Sequence, residues 1–483
     1  MVEQVAIVGA GLAGLCAAIQ LKESGSDSFV VFEKGDDVGG VWRDNTYPGA
    51  GCDLPSCLYS YSFEKDASWS RTYGTQPEIL DYIRRSARRH GVYSHISFGT
   101  EIVQADYDSG QRLWRLRTAS GEEHTARAVI MAAGQLNRPR LPDIKGQSEF
   151  AGTAFHSAAW QHDHDLRGRS VAVIGNGCSA VQFVPRIAPL VERLRVYQRS
   201  PKWIIPKMDH EYTTATQRVF QRHPWTQRLS RASWWAMAET IAYSPIHQGA
   251  FSRLLVATAR RHLRGQIPDP VLRRKLSPDY AFGCNRMILS NDYYPALMRR
   301  NVELVTDPIR RITPDGIETE DDTLREADTI IYATGFDSTT FLGPMEVTGP
   351  GGRLRDLWQD GGAAYLGIAT PGFPNLFILY GPNTSSAANS VIYMIESQVH
   401  YVLRCLDVIG DGGTMEVTMQ AFRDYEREIE ADLKSTVWQG DCRSWYKTES
   451  GRVTNLWPHR ALRYRRATRT PDLDHYHVSG RSR

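Results

Sequence analysis

The sequence predicts an α/β protein built from two Rossmann-like dinucleotide-binding domains with an inserted helical segment, and three observations carry that prediction. A glycine-rich loop, GAGLAG from Gly9 to Gly14, follows an apolar β-branched run and opens a helical pattern. A second loop, GNGCSA from Gly175 to Ala180, does the same after SVAVI. Between Lys207 and Lys275 a Trp- and Arg-rich stretch of helical spacing then interrupts the second unit.

Each loop has the residue types that a bound pyrophosphate demands. Gly9 and Gly175 serve the tight turn, Gly11 and Gly177 let the backbone approach the phosphates, and Gly14 and Ala180 pack helix on strand. The helix N-terminus then faces the anion. One such loop is weak evidence; two, each after a strand, point to two dinucleotides in one chain and to redox chemistry between them.

The first site is read from the strand FVVFEK, where Glu33 stands about 20 residues past the loop, placed to hydrogen-bond ribose hydroxyls and to repel a 2′-phosphate. That choice leaves FAD or NAD(H), and the following Gly39, Gly40, Val41 and Trp42 favour FAD. At the second site, the strand RLRVYQRSP has Gln198, Arg199 and Ser200 where the acid would be. A guanidinium forks onto a 2′-phosphate, so NADPH/NADP⁺ is expected there, with Lys202 as a helper.

RLWRLRTASGEEHTARAVIM reads as a β-meander closing at Ala132–Gly134, and ADTIIYATGFD, with Thr334 and Asp337, returns the chain to the first domain beside a flavin. The expected organisation is an FAD domain over 1–140 and 335–483, an NADP domain over 150–206 and 276–334, and a helical insertion over 207–275.

Composition narrows the partners. The chain has 483 residues, enough for more than one core, and 57 Lys plus Arg against 54 Asp plus Glu leave a net charge of +3. That balance argues against nucleic acid or an anionic membrane and for a small organic substrate. The basic helices of the insertion read as a solvated cover. Seven scattered cysteines, with no CxxC pair and no spaced His/Cys cluster, predict no metal. With no apolar run of bilayer length and no basic leader, stable membrane insertion is not expected and a cytoplasmic setting is.

The string FAGTAFHSAAWQ, containing Phe150, Gly152, His156 and Trp160, resembles the FxGxxxHxxxW(P/D) fingerprint of Baeyer-Villiger monooxygenases, members of the class B flavoprotein monooxygenases. It departs at the last position, Gln161. GGVW, YPGAGCDLPSCLYSYSF, FGCNRMILSNDYYPAL, YATGFD and GPNTSSAANSVIYMIESQ are similar to segments of the same family, so the resemblance spans nearly the whole chain.

The resemblance implies FAD and NADPH as cofactors, O2 as co-substrate, and insertion of one oxygen atom beside a ketone carbonyl through a C4a-peroxyflavin. It assigns Arg286 as the active-site arginine and Asp53 as the carboxylate that orients it. The fingerprint residues would link the domains and position the nicotinamide. Arginine suits an anionic peroxide because it cannot surrender its proton. Asn285 stands where the family often has lysine, and Lys202 is the expected substitute. Three alternatives stay open: N- or S-oxygenation on the same scaffold, a disulfide reductase using Cys52 and Cys57, and a non-catalytic redox sensor.

Overall fold

The structure is a computed structural model that describes residues 2–64, 68–440 and 444–480. The strand Val2–Val8 is central to the larger sheet, with parallel partners on both sides: Val8 lies opposite Phe32 of Phe29–Phe32 and opposite Met131 of Glu123–Met131. Helices cover both faces of such a strand, which is why it reads as an apolar run and not as an alternation. The meander expected after it forms from Ile102–Asp108, Leu113–Thr118 and Glu123–Met131 in antiparallel register. Leu376–Ile378, from much later in the chain, adds in parallel to Glu123–Met131. Buried Trp114 secures that return by donating Nε1–H to the Pro374 carbonyl at 2.8 Å.

The second sheet has five strands, all parallel, in the order Val302–Val305, Arg193–Tyr197, Ser170–Ile174, Thr329–Tyr332, Thr153–His156. The strand entering the second glycine loop is therefore in the middle. Helix Cys178–Ile187 makes the crossover from it to the strand Arg193–Tyr197, which Arg199 and Ser200 follow. The fingerprint occupies the edge strand Thr153–His156, with His156 opposite Tyr332.

Two chain segments cross between the sheets side by side. Arg140 N–H donates to the Gly335 carbonyl (2.9 Å) and Asp337 N–H to the Arg138 carbonyl (3.0 Å). Side chains add to this tether: Thr334 Oγ1 donates to the Arg140 carbonyl at 2.5 Å, and Asp337 pairs with Arg138 at 3.3 Å. Adjacent crossings need polar partners for their exposed backbone, and these two residues supply them.

The insertion is helical, with Thr214–Arg222, Pro224–Met237, Ala250–Gln266 and Pro270–Lys275. Ile204–Ile205 and Ile288–Leu289 pair in parallel at its base, so the chain leaves and returns at one place. Buried Glu239 ties it to later segments by accepting from Asn389 Nδ2 (2.7 Å) and Ala461 N–H (3.0 Å). No helix among the described residues is long and apolar enough to cross a membrane.

The first loop is closed by backbone approach. Gly9 has φ +103°, and a Cβ there would lie 2.6 Å from the Ala132 carbonyl oxygen; a Cβ on Gly14 would overlap the Gly9 carbonyl oxygen. Gly14→Ala should therefore cost about 3 kcal/mol in denaturant unfolding, the upper end for overpacking. Gly177→Ala, whose Cβ meets nothing within 4 Å, should stay within about 1 kcal/mol of the parent.

Candidate active site

The two loops share one backbone geometry at the helix start: Gly11 has φ −76° and ψ −173°, Gly177 φ −76° and ψ −170°. Neither helix has a side-chain cap, so their first N–H groups stay open to an anion. A Cβ on Gly11 would meet only Gly40 Cα, at 3.8 Å, and Gly40 itself has φ +52°. These are cradles that a side chain would fill, and they fit the phosphates of dinucleotides.

Glu33 is buried at the end of its strand. Its Oε2 accepts from Ala10 N–H (2.8 Å), while Oε1 accepts from Gly35 N–H (2.8 Å) and Arg43 Nη1 (2.9 Å). Oε2 therefore keeps a lone pair for a hydroxyl. Arg43 is a partner that the sequence did not announce. It follows Val41 and Trp42, which start the short helix Val41–Asp44, and Trp42 donates its indole N–H to Tyr59 at 3.0 Å. A cleft of about 410 Å³ opens alongside, lined by Gly35, Arg43, Asn45, Asn137, Ala158 and Phe336.

At the second loop, Asn176 Nδ2 donates to Gln198 Oε1 (2.8 Å) and to the Ser200 carbonyl (3.0 Å), while Gln198 Nε2 donates to the Lys275 carbonyl (2.7 Å). Gln198 is thereby used up inside, and Arg199 is left exposed with no ion pair among the described residues. Lys202 lies within electrostatic reach of Cys178 and Arg199; burial, reinforced by Arg199, holds its ammonium below the usual lysine range.

The fingerprint is built into the second sheet and the tether. A Cβ on Gly152 would overlap the Asp328 carbonyl oxygen and approach the Phe150 ring at 2.7 Å. Trp160 packs on Phe155 (5.3 Å) and on Phe183 of the crossover helix (5.2 Å). His156 is buried; its Nδ1 accepts from Ala158 N–H at 3.1 Å and its ring meets Phe336 of the tether edge-on at 5.8 Å. Burial lowers its pKa, so the ring is neutral at pH 7.

Arg286 lies just before the strand Ile288–Leu289, where the chain leaves the insertion. The Arg286 side chain is solvent-accessible, although protein groups crowd around its guanidinium. Burial disfavours its charge, but nearby Cys178, Asp53, Tyr446 and Cys52 leave the guanidinium above its ordinary value, Asp53 being the one carboxylic acid among them. Those groups come from both loop-bearing units.

The direct Arg286–Asp53 ion pair expected from the sequence is not formed. Asp53 has a buried Oδ1 with no hydrogen-bond partner, and it shares its field between Arg286 and Lys207. Lys207 is a cation that sequence reasoning missed: its Nζ donates to the Cys52 carbonyl at 3.1 Å and sits 4.9 Å over the Tyr73 ring. Gln182 is another. Its Nε2 donates to the Gly51 carbonyl (2.9 Å) and its Oε1 accepts from Tyr47 (3.0 Å), clamping the crossover helix to the Asp53 segment. No spacing in the sequence relates either residue to Asp53.

Cys52 and Cys57 are free and buried. Burial pushes the Cys52 thiol up to about 12 and raises Cys57 as well. A redox-active pair needs a lowered thiol pKa, so this geometry opposes the disulfide-reductase alternative.

Burial likewise raises the Asp53 carboxyl, against the lowering by Arg286 and Lys207. A proton held more tightly in the folded state stabilises below the unfolded pKa of 3.8, and that share is lost as pH rises through the folded value. Asp53→Asn should therefore match the parent in thermal unfolding below pH 3.8 and exceed it by a margin that grows as pH rises from 3.8 to the folded value and is constant above it. A gap that does not change with pH would contradict this.

A family model described as pyridine nucleotide-disulphide oxidoreductase matches residues 6–222. A Baeyer-Villiger monooxygenase of Pseudomonas aeruginosa is 42% identical over 99% of this chain and 91% of its own length. Among solved structures, OTEMO in complex with FAD and NADP superposes with a TM-score of 0.89 at 28% identity, covering 99% of each chain. Cyclohexanone monooxygenase from Rhodococcus sp. Phi1, bound to NADP⁺, gives 0.87 at 28% identity over 97% of each. With its two glycine loops, its fingerprint strand and a full-length relative at this identity, the chain belongs to the Baeyer-Villiger monooxygenases.

Proposed function

We propose that the protein is an FAD- and NADPH-dependent monooxygenase that inserts one oxygen atom of O2 beside a ketone carbonyl, giving an ester or lactone. The observation that carries this reading is Arg286, a permanently charged and accessible side chain set among groups from both loop-bearing units. Relatives named for Baeyer-Villiger oxidation and for cyclohexanone support a ketone substrate.

Gly9, Gly11, Gly14, Glu33, Gly40, Val41 and Trp42 would hold FAD; Gly175, Gly177, Ala180, Arg199, Ser200 and Lys202 would hold NADPH. Bound flavin supplies hydride acceptance from the nicotinamide and activation of O2. Arg286 stabilises negative charge as it develops on oxygen at the reacting centre, and it cannot quench that charge by donating a proton. Asp53 and Lys207 set the field in which the guanidinium is oriented. Neutral His156 has its Nδ1 fixed by Ala158 N–H, so it serves as a joint between the second sheet and the tether. Trp160 and Gln182 brace the crossover helix and so position the nicotinamide. The reaction draws on NADPH, and we place the enzyme in the cytoplasm.

The test is turnover of the purified yellow protein with NADPH, ¹⁸O₂ and a panel of cyclic ketones, read by mass spectrometry. Expected is a lactone carrying a single ¹⁸O atom, formed with equal consumption of NADPH. Oxygenation of sulfides or amines with no lactone from any ketone would overturn the ketone reading.

A further inference from the structure

The insertion presents a face that the proposed chemistry does not use. From Tyr212 to Pro268 the chain contains one carboxylate, Glu239, and that one is buried against Asn389 and Ala461. The surface of this stretch therefore has no negative charge of its own. Helices Thr214–Arg222 and Pro224–Met237 pack against each other, and together they expose Arg218, Arg222 and Arg228, none of them in an ion pair among the described residues. Beside these stand Trp225 at 62% exposure, Leu229 at 63% and Val219 at 44%.

The second helix is anchored by its other side. Arg231 Nη1 donates to the carbonyls of Cys57 (2.6 Å) and Ser60 (2.9 Å), Gln227 is buried, and Trp234 meets the Tyr73 ring edge-on at 6.4 Å. Trp225, Arg228, Leu229, Ala232 and Ala236 recur at helical spacing on the exposed side. The helix is thus held by one face, while an apolar stripe edged by cations has no partner in the fold.

We propose that this face docks the protein peripherally on an anionic lipid bilayer. Guanidinium groups free of internal acid partners complement lipid phosphates, Trp225 has the amphipathic ring favoured at the headgroup level, and Leu229 and Val219 gain by burial at the acyl boundary. A nucleic acid would use the arginines but would leave the two aliphatic side chains uncovered. The whole-chain charge of +3 conceals the patch because the balancing acids lie elsewhere in the sequence. Docking in this way would set the bilayer against the outer side of the helix whose inner side covers the 57–60 segment, close to Asp53. For the function proposed above, that points to ketones that partition into membranes; the docking itself does not rest on that function.

The experiment is co-sedimentation of the flavin-loaded, full-length protein with vesicles of phosphatidylcholine alone and of phosphatidylcholine mixed with phosphatidylglycerol. Expected is binding to the anionic vesicles only, weakened by salt. Arg218→Gln, Arg222→Gln and Arg228→Gln should each weaken it roughly fivefold, and together about a hundredfold. Trp225→Ser with Leu229→Ser should also weaken it, with flavin content and thermal unfolding unchanged in every variant. The proposal is overturned by failure to sediment with anionic vesicles, by equal binding to both compositions, or by variants that bind as the parent does. It is also overturned if double-stranded DNA is bound while vesicles are not, or if Trp225→Ser converts a dimer into a monomer.

Discussion

A guanidinium acts on developing negative charge only if the groups around it hold it in place, and Arg286 is where this molecule gathers such groups. Around it stand Cys178 at the start of the crossover helix, Cys52 and Asp53 in the segment after the first nucleotide unit, and Tyr446 near the end of the chain, with Asp53 the one carboxylic acid of the four. No local stretch could supply all four. The parallel strands bring them together, because ligands and their contacts gather beyond the carboxyl ends of such strands, and both glycine loops open at that edge. Gln182 then bolts the crossover helix to Gly51, which keeps Cys178 and Asp53 in a fixed relation.

The tether between the sheets has the same logic. Residues 138–140 and 334–337 run side by side, bonded through backbone and through Thr334 and Asp337. The fingerprint strand abuts this tether, with His156 against Phe336 and opposite Tyr332. Phe150 and Gly152 pack against each other, and Trp160 packs on Phe155 and Phe183.

The features legible in the sequence are those set by short-range geometry. GAGLAG and GNGCSA form strand, turn and helix because only glycine relieves the overlaps at Gly9, Gly14 and Gly175. The 207–275 stretch is helical as its spacing indicates, and the meander closes where its turn residues stand. Contacts between distant segments were not legible. Lys207 reaches Cys52 across 155 positions and Gln182 reaches Gly51 across 131, with nothing in either local pattern to mark them. The same distance explains the missing Arg286–Asp53 ion pair: a shared motif can place two residues in one neighbourhood, but it does not foretell a second cation, Lys207, whose field also acts on the carboxylate. The bonds of Thr334 to Arg140 and of Asp337 to Arg138 were equally hidden, since nothing in YATGFD marks their partners.

The most direct measurement separates the two halves of the reaction in Arg286→Ala, loaded with FAD. Its flavin should be reduced by NADPH in the absence of oxygen at close to the parent rate, since the groups that hold both dinucleotides are intact. On mixing with oxygen and ketone, ester formation should fall by at least about a hundredfold, the usual cost of removing a preorganised charge from a site where negative charge develops. Ester formed at the parent rate would show that the guanidinium is an ornament of packing and that the negative charge is stabilised elsewhere.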